Sequence, residues 1–299
     1  MSSLCKATKA EAAAARPPPG PTDAYEILAG PEELRGGVTV DFDAAKHARA
    51  RLDAFVDDDV FIDQAWLVKK KICPLVFDGK KFRLAGVEKA GGGVVLRVGL
   101  TTYREYVGTQ HVERLRKTGA RKGDATLHLS CALGCEAVLV TSDAKIALLR
   151  RSTSVAAAAG RYNGPSGHPE PRNAGDLSPA AVRAELLSDA ILTEVSDETG
   201  APKDALGAPR LIGVMRDSEL KPDLLFRVDA ALDSAALRAR YEAGEGAECW
   251  ESDRLAFVDV DDVGSCDLRL TAVTRAAFAC LGSDRAGDAG GEAAPGGGG

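Results

Sequence analysis

Apolar and polar positions divide the chain into short stretches typical of strands and longer stretches typical of helices. Residues 38–42 alternate between apolar and polar side chains, as a half-buried strand does. From residue 43 to about residue 71, Ala44, Ala48 and Leu52 recur at helical spacing, which predicts a helix. The other predicted strands are 82–87, 94–100, 127–129, 137–141, 145–151, 211–216, 224–229 and 255–260, and the other predicted helices are 103–117, 178–199, 235–243 and 268–281.

This order of elements favours an α/β fold. Mixed strands with helices on both faces predict an α/β/α sandwich around a mixed sheet, preceded by a smaller α+β N-terminal unit. A length of 299 residues suggests about two domains. We predict a disordered segment at 1–22, the N-terminal unit at 23–132, the main domain at 133–282 and a disordered tail at 283–299.

Composition narrows the class of protein. The chain is 45% hydrophobic and 27% charged, which is typical of a globular protein with a sizeable core. A net charge of −6 argues against nucleic acid or an anionic membrane as the main partner. Seven scattered cysteines fit a reducing compartment, and no apolar run is long enough to span a membrane. We therefore predict a cytoplasmic protein, with organelle import by a short N-terminal peptide as the alternative.

Three carboxylates stand out near the end of the predicted helix at 178–199. Glu194, Asp197 and Glu198 occupy positions i, i+3 and i+4, so they share one helical face and repel one another. A hard cation such as Mg²⁺ between them would relieve that repulsion. A solvated acidic face is the other interpretation. Ser178-Pro179 predicts where this helix begins, and Gly200 where it ends.

The surrounding residues resemble the Nudix box of nucleoside-diphosphate-X hydrolases. The resemblance places Glu194, Asp197 and Glu198 on the three acids of the second half of the box. It places Glu185 on the earlier glutamate and Gly167 on the opening glycine.

Three departures from the box narrow the resemblance. The loop between Gly167 and Glu185 carries an insertion of 12 residues over the usual five, because 17 residues lie between them. Thr193 replaces the usual arginine, and Asp197 replaces a glutamate. The same departures occur in the animal Nudix enzymes that hydrolyse UDP-glucose and UDP-galactose. Further stretches that resemble those enzymes are 77–78, 81–84, 100–104, 149–152 and 167–171, and the resemblance runs from about residue 70 to about 280.

The resemblance implies a set of site residues. Glu194 and Glu198 would hold Mg²⁺, or alternatively Mn²⁺, with Asp197 acting directly or through water and the Gly167 carbonyl completing the metal site. Glu251, on a loop before the strand at 255–260, would be the catalytic base, although a surface acid is the alternative. The residues assigned to substrate binding are Phe77, Tyr103, Arg151, Ala156, Asn163, His168 and Glu170.

Each of these substrate assignments has a chemical reason or an alternative. Arg151 offers phosphate a planar, permanently charged fork, and only one of Arg150 and Arg151 can face the cleft because neighbouring strand residues point in opposite directions. Phe77 and Tyr103, in the N-terminal unit, would stack on uracil, with core packing as the alternative. His168 would contact phosphate or sugar, and Glu170 metal-bound water or a sugar hydroxyl.

The resemblance implies Mg²⁺-dependent hydrolysis of UDP-glucose or UDP-galactose to UMP and hexose 1-phosphate. One alternative is another substrate of the same general form, such as an ADP-sugar, a dinucleotide or coenzyme A. A second alternative is a silent module that has the fold and binds nucleotide sugars without hydrolysing them. The retained Glu194 and Glu198 argue against the silent module. The oligomeric state cannot be inferred from the sequence.

Overall fold

The computed structural model describes residues 24–52, 58–74, 76–152, 158–173, 175 and 177–290. Within these residues the strands are β1 (Tyr25–Ala29), β2 (Val38–Phe42), β3 (Lys80–Ala90), β4 (Gly93–Thr102), β5 (Gly134–Val140), β6 (Lys145–Arg151), β7 (Tyr162–Asn163), β8 (Ser166–Gly167), β9 (Arg210–Asp217), β10 (Pro222–Asp229) and β11 (Ser252–Asp259). The helices are α1 (Pro31–Leu34), α2 (Asp58–Ile72), α3 (Tyr103–Thr109), α4 (Glu113–Arg121), α5 (Pro179–Ala184), α6 (Ala190–Thr199), α7 (Ser234–Glu242) and α8 (Ala272–Gly290). In this part of the chain, no helix is long and apolar enough to cross a membrane.

The described strands form a large mixed sheet and a small one. The large sheet runs β1-β9-β10-β5-β6-β11, with β7 paired to β6 and β8 to β5. Its β10–β5 pair is parallel and its other pairs are antiparallel. The small sheet runs β2-β4-β3. Helices on both faces of the large sheet complete the predicted α/β/α sandwich, which the structure confirms.

Strand β5 shows how the sandwich is held together. Ala137 and Leu139 point to the core shared with the α5–α6 helix, whereas Val138 and Val140 point to the core shared with α8. Side chains alternate between the two faces of a strand, so a strand covered by helices on both sides is apolar throughout. All seven residues of β5 are buried accordingly.

The small sheet belongs to the same core as the large one. Phe82, Leu84 and Leu96 lie in one apolar cluster with Leu186 and Val195 of the helical layer. Strand β1, which we assigned to the N-terminal unit, pairs with β9 of the main domain. The predicted boundary at residue 133 therefore does not separate two independent cores.

Two predicted elements are wrong because buried Arg83 requires loop carbonyls around it. Its guanidinium donates to the carbonyl oxygens of His47, Thr126 and Leu129 at 3.0–3.2 Å. The predicted strand at 127–129 is consequently a turn. The predicted helix from residue 43 is also a turn at its start, held by the Asp43 carboxylate, and its later part corresponds to α2, Asp58–Ile72.

Two further helices have different limits from those predicted. The helix predicted at 103–117 is divided into α3 and α4, because the buried Gln110 side chain bonds to the backbone of Cys131 and Glu219 instead of continuing a helical face. At the other end of the chain, α8 continues to Gly290, past the predicted start of the tail at Ser283. Asp284 pairs there with Arg210, which fixes that turn of the helix on the sheet.

Candidate active site

The acidic helix has the limits that the sequence predicts, but it is interrupted. The Ser178 hydroxyl accepts from the Ala181 amide at 3.3 Å, which caps α5, and Gly200 ends α6 with a left-handed φ of 77°. Between α5 and α6 lies one π-helical turn, Glu185–Asp189. Such turns insert one residue into the helical register and occur often at functional sites.

The short strand β8 brings the loop backbone against this helix. Gly167 pairs with Cys135 of β5 and lies directly against the Glu194 carboxylate. A Cβ atom at Gly167 would be 1.9 Å from Oε1 of Glu194, so any other residue there would require the Glu194 carboxylate to move. The amide of the preceding residue, Ser166, donates to Oε2 of Glu198 at 3.2 Å. The loop and the two carboxylates therefore form one site.

Burial and crowding make these carboxylates hold protons unusually tightly. Burial, followed by the charges of Glu248, Glu251 and Asp197, raises the pKa of Glu194 to about 7. Burial, followed by the charges of Glu194 and Glu251, raises the pKa of Glu198 well above its usual value. Burial and the approach of like charges both favour the neutral form of a carboxyl group.

The loop before β11 adds two more acids to the site. The Glu248 amide donates to the carbonyl of Asp197 at 2.8 Å, and the Cys249 thiol lies 3.5 Å from the carbonyl of Glu198. These bonds hold the loop on the last turn of α6. Glu251, which the sequence suggested as the base, lies here, and burial raises its pKa. Sequence reasoning missed Glu248, although its position three residues before Glu251 in an acidic loop was a usable signal.

Arg151 supplies positive charge next to the cluster, because it pairs with Ser252 of β11, the residue after Glu251. Its neighbour Arg150 points away and pairs with Asp253 at 2.6 Å. Arg151 lies close enough to Glu198 and Glu251 for its charge to lower the pKa of both, against the larger effect of burial. Because neighbouring strand residues point in opposite directions, Arg150 faces Asp253 whereas Arg151 faces the acidic cluster.

Comparison with known proteins decides the family. No family model matches the chain. It is 36% identical to human uridine diphosphate glucose pyrophosphatase NUDT22, over 69% of this chain and 73% of that protein. It is 32% identical to Nudix hydrolase 9 of Arabidopsis thaliana, over 81% of this chain and 84% of that protein. The chain belongs to the Nudix hydrolase family. A solved MutT protein from Methanosarcina mazei Go1 is 19% identical, covering 51% of this chain and 94% of that one, with a TM-score of 0.35, and no argument rests on it.

Nudix hydrolases generally use divalent metal ions, and the residues of this site fit one. All the side-chain donors are carboxylate oxygens, which hard cations prefer. Burial, followed by neighbouring carboxylates, raises the pKa of Glu194 and of Glu198, and a cation between them would offset that repulsion. Among the described residues, no three acidic, His or Cys side chains already converge as a metal cage.

A cavity lies between the start of β3 and the loop that precedes α5. It measures about 310 Å³ and is lined by Phe77, Gly79, Lys80, Glu170, Pro171, Arg172, Gly175 and Leu177. Phe77 is 65% exposed, so core packing does not explain it. Glu170 forms ion pairs with Lys81 of β3 and with Arg172. The structure therefore brings Phe77 and Glu170 to one cavity.

His168 and Asn163 lie near the Nudix loop but make internal contacts. The Nδ1 atom of His168 donates to the Leu133 carbonyl at 2.9 Å. Burial, followed by the charges of Lys221 and Lys81, lowers the pKa of His168 to about 3, so its ring is neutral. Asn163 is buried and donates to the Ser166 hydroxyl at 2.8 Å, which shapes the loop rather than exposing a group to a ligand.

Two predicted substrate residues lie elsewhere or outside the described chain. The Tyr103 ring stacks on Tyr106 with centroids 6.0 Å apart and meets Trp66 edge-on at 6.1 Å. It is not among the residues lining the Phe77 cavity, although its amide donates to the carbonyl of Gly79 in that cavity wall. Ala156 lies outside the described residues.

Proposed function

We propose that this Nudix hydrolase cuts the diphosphate of UDP-glucose or UDP-galactose, with Mg²⁺ as its metal ion. The observation that carries the proposal is the similarity to the human, mouse and bovine proteins named uridine diphosphate glucose pyrophosphatase, at 34–36% identity. In the reaction, water attacks one phosphorus and the bond to the bridging oxygen breaks. UDP-hexose and water give UMP and hexose 1-phosphate.

The acidic helix would hold the metal ion. Glu194 and Glu198 would be the principal ligands, with Asp197 and the carbonyl of Gly167 beside them. When bound, the ion would offset the negative charge that develops on the phosphoryl oxygens. Arg151, whose charge acts on both Glu198 and Glu251, would orient the diphosphate through its planar fork.

The loop before β11 would take the proton from the attacking water. Glu251 is the base we propose, because its raised pKa brings it closer to neutral pH, where a general base works best. Glu248, whose charge raises the pKa of both Glu194 and Glu251, is the second candidate. Comparing the pH–rate profiles of Glu251→Gln and Glu248→Gln distinguishes them, because only loss of the base removes the limb that its ionisation produces.

The cavity at Phe77 would receive the nucleoside and the sugar. The exposed Phe77 ring offers a face for uracil, and Glu170 on the opposite wall offers carboxylate oxygens to sugar hydroxyls. His168 is neutral and donates through Nδ1, so its Nε2 atom can only accept a hydrogen bond. It would therefore face a hydroxyl or imide donor of the substrate and not a phosphate oxygen.

Purified protein with Mg²⁺ should be assayed against UDP-glucose, UDP-galactose, ADP-glucose, a dinucleotide and coenzyme A, with release of the nucleoside monophosphate as the readout. We expect the UDP-sugars to be the best substrates by kcat/KM. Glu198→Gln keeps the shape of the side chain and should lower kcat by at least about 100-fold while the melting temperature is kept, since it removes a metal-binding charge. Preference for another substrate would replace the UDP-sugar assignment, and failure to hydrolyse any of them would favour a silent binding module.

A further inference from the structure

A second cation, Lys81, lies near the acidic helix on the side of the small sheet. It is the second residue of β3, and its side chain is only 12% exposed. By contrast, the side chain of Lys89, near the other end of the same strand, is 56% exposed. Charged side chains are seldom withdrawn from water unless a partner stabilises the charge. The partners of Lys81 therefore indicate what its charge can do.

One partner of Lys81 is the carboxylate of Glu170. The ammonium pairs with Oε1 of Glu170, whose side chain is 13% exposed and whose amide donates to Glu185 of the Nudix helix. The charge of Lys81 is thus held on a carboxylate that is itself fixed in place. An ammonium group has three N–H donors. Within the described residues it bonds to Glu170, which leaves two donors for a ligand.

The loop that carries Glu170 also carries Gly167, which lies against the Glu194 carboxylate. Three residues separate these two positions along the chain, so their Cα atoms are at most about 11 Å apart. The electrostatics agree with this proximity. Burial raises the pKa of Glu194, and the charge of Lys81 acts in the opposite direction. Burial lowers the pKa of His168, and the charge of Lys81 lowers it further. Lys81 therefore lies within electrostatic reach of the acidic site.

Lys81 and Arg151 approach the acidic helix from different sheets. Lys81 begins in β3 of the small sheet and acts on Glu194, whereas Arg151 ends β6 of the large sheet and acts on Glu198. Each of the two principal carboxylates thus has one cation near it. The diphosphate of a UDP-hexose carries a negative charge on each phosphoryl group, so a cation from each sheet suits a ligand of this kind.

We propose that Lys81 is a further substrate-binding residue, whose ammonium donates to a phosphoryl oxygen of the diphosphate while Glu170 holds it in position. The inference rests on the proposed function, because it requires a substrate that contains a diphosphate. Lysine presents a compact charge with rotatable donors and binds phosphate as a point charge, and hydrogen bonds between charged groups are the stronger ones. Phosphate therefore suits this ammonium better than a neutral sugar hydroxyl.

A purely structural role is the competing explanation, in which Lys81 only holds the inserted loop against β3 through Glu170. UDP distinguishes the two roles, because it has the diphosphate but no hexose for Glu170 to contact. Binding of UDP should therefore depend on the charge of Lys81 itself, and much less on the carboxylate that holds it.

Calorimetry of UDP binding to the full chain in the presence of Mg²⁺ tests the proposal. Lys81→Met keeps the apolar stem and removes the charge, so it should raise the Kd for UDP at least about tenfold. Lys81→Arg keeps the charge and should recover most of the affinity. The matched control is Lys89→Met, which removes a lysine that pairs with Glu33 at 2.6 Å in the same strand and should leave the Kd unchanged. Far-ultraviolet circular dichroism and melting temperature establish that each variant is folded.

Glu170→Gln separates phosphate binding from a role in holding the loop. It removes the charge that pairs with Lys81 but keeps the ammonium, so the Kd for UDP should change by less than about threefold. Equal losses in Glu170→Gln and Lys81→Met would show that Lys81 acts only on the loop, which overturns the proposal. Equal affinity of wild type and Lys81→Met for UDP overturns it as well and leaves the proposed function standing. A wild type that neither binds UDP nor hydrolyses a UDP-sugar overturns both.

Discussion

At the scale of single residues, one glycine determines how closely the loop approaches the catalytic helix. Gly167 lies against the Glu194 carboxylate, and a side chain at this position would displace that carboxylate. The neighbouring Ser166 amide bonds to Glu198. Loop backbone and helix carboxylates can therefore act on the same ligand, and the approach depends on the absence of a Cβ atom.

Replacing Gly167 by alanine should separate the loop from the helix. The added Cβ would have to displace the Glu194 carboxylate, which it would otherwise approach to 1.9 Å. We expect kcat/KM to fall by at least about tenfold, or about 1.4 kcal/mol, and Mg²⁺ to bind more weakly by calorimetry. Gly282→Ala is the matched control, because a Cβ at Gly282 meets nothing within 4 Å. Equal activity in the two variants would contradict the close approach.

A second residue-scale prediction concerns Glu136, a buried carboxyl on the α8 side of the sheet. Burial raises its pKa to about 8, and its Oε1 atom has no hydrogen-bond partner. The folded state therefore holds this proton more tightly than the unfolded state, whose pKa is near the ordinary value for glutamate. The stability that it contributes is complete at pH below the unfolded pKa and is lost as the pH rises through about 8.

Glu136→Gln removes this ionisation while keeping the shape of the side chain. Relative to wild type, the variant should gain stability as the pH rises towards 8 and keep the gain above it. The expected increase in melting temperature at alkaline pH is a few degrees, since about 1 kcal/mol shifts it by 2–4 °C in a protein of this size. Glu242→Gln, at an exposed site on α7, should show no such trend. A difference that did not vary with pH would show that Glu136 does not titrate in this range.

Residue spacing was enough to find part of the site. The positions of Glu194, Asp197 and Glu198 follow from helical periodicity, and the capping residues Ser178 and Gly200 give the limits of the helix. Glu248 could not be placed in the same way, because it joins the site only when its loop docks on the last turn of α6. The pairing of Lys81 with Glu170 likewise joins segments 89 residues apart, which no local pattern encodes.

At the scale of elements, the helix that carries Glu194 and Glu198 is bonded to the inserted loop through Glu185. The π-helical turn begins at Glu185, whose Oε1 accepts from the Glu170 amide at 3.1 Å and from the Asn173 side chain at 3.3 Å. The carboxylate is buried and holds the loop at the cavity wall. The inserted residues are thus attached to the catalytic helix at a fixed point.

Cutting this attachment should affect substrate binding more than the chemical step. Glu185→Ala leaves the Glu170 amide without its acceptor, and we expect KM for UDP-glucose to rise about tenfold, which corresponds to about 1.4 kcal/mol. The rate kcat should change less, because the metal-binding carboxylates remain in place. Glu185→Gln keeps the acceptor oxygen and should restore most of the affinity. Steady-state kinetics of the pair test this, and a fall in kcat at unchanged KM would contradict it.

Elements were predicted well where local patterns and tertiary packing agree. The hairpin of β3 and β4 and the buried strand β5 occur where their apolar patterns indicate. The predictions at 43–52 and 127–129 are wrong for one shared reason, which is that three loop carbonyls coordinate the buried guanidinium of Arg83. The tertiary demand of a buried charge overrides local propensity there.

At the scale of the whole molecule, the small sheet and the large sheet act as one structure. They share a hydrophobic cluster, and the Lys81–Glu170 ion pair joins β3 to the inserted loop. The cavity at Phe77 has walls from both sides of this junction. Under the proposed function, substrate selection would be divided. The acidic helix and Arg151 would bind the diphosphate, which all candidate substrates share, and the cavity at Phe77 would bind the groups attached to it.

The exposed Phe77 ring in the cavity wall offers a face on which a base can stack. Stacking on one aromatic face is worth about 1–3 kcal/mol per base, so Phe77→Ala should lower kcat/KM for UDP-glucose by roughly 5- to 150-fold, at about 1.4 kcal/mol for each tenfold. The melting temperature should change little, because the side chain is 65% exposed. Tyr103→Ala offers the contrast: this ring packs between Trp66 and Tyr106, so its loss should lower the melting temperature.

Stacking alone does not choose uracil over adenine, so the measurement compares UDP-glucose with ADP-glucose in wild type and in Phe77→Ala. Wild type should prefer UDP-glucose, and the substitution should weaken the use of both, because every base has a face that can stack. The preference itself should survive if polar groups of the cavity wall read the edge of the base. If Phe77→Ala left UDP-glucose turnover unchanged, the base would bind elsewhere, and the cavity at the junction would serve the sugar alone.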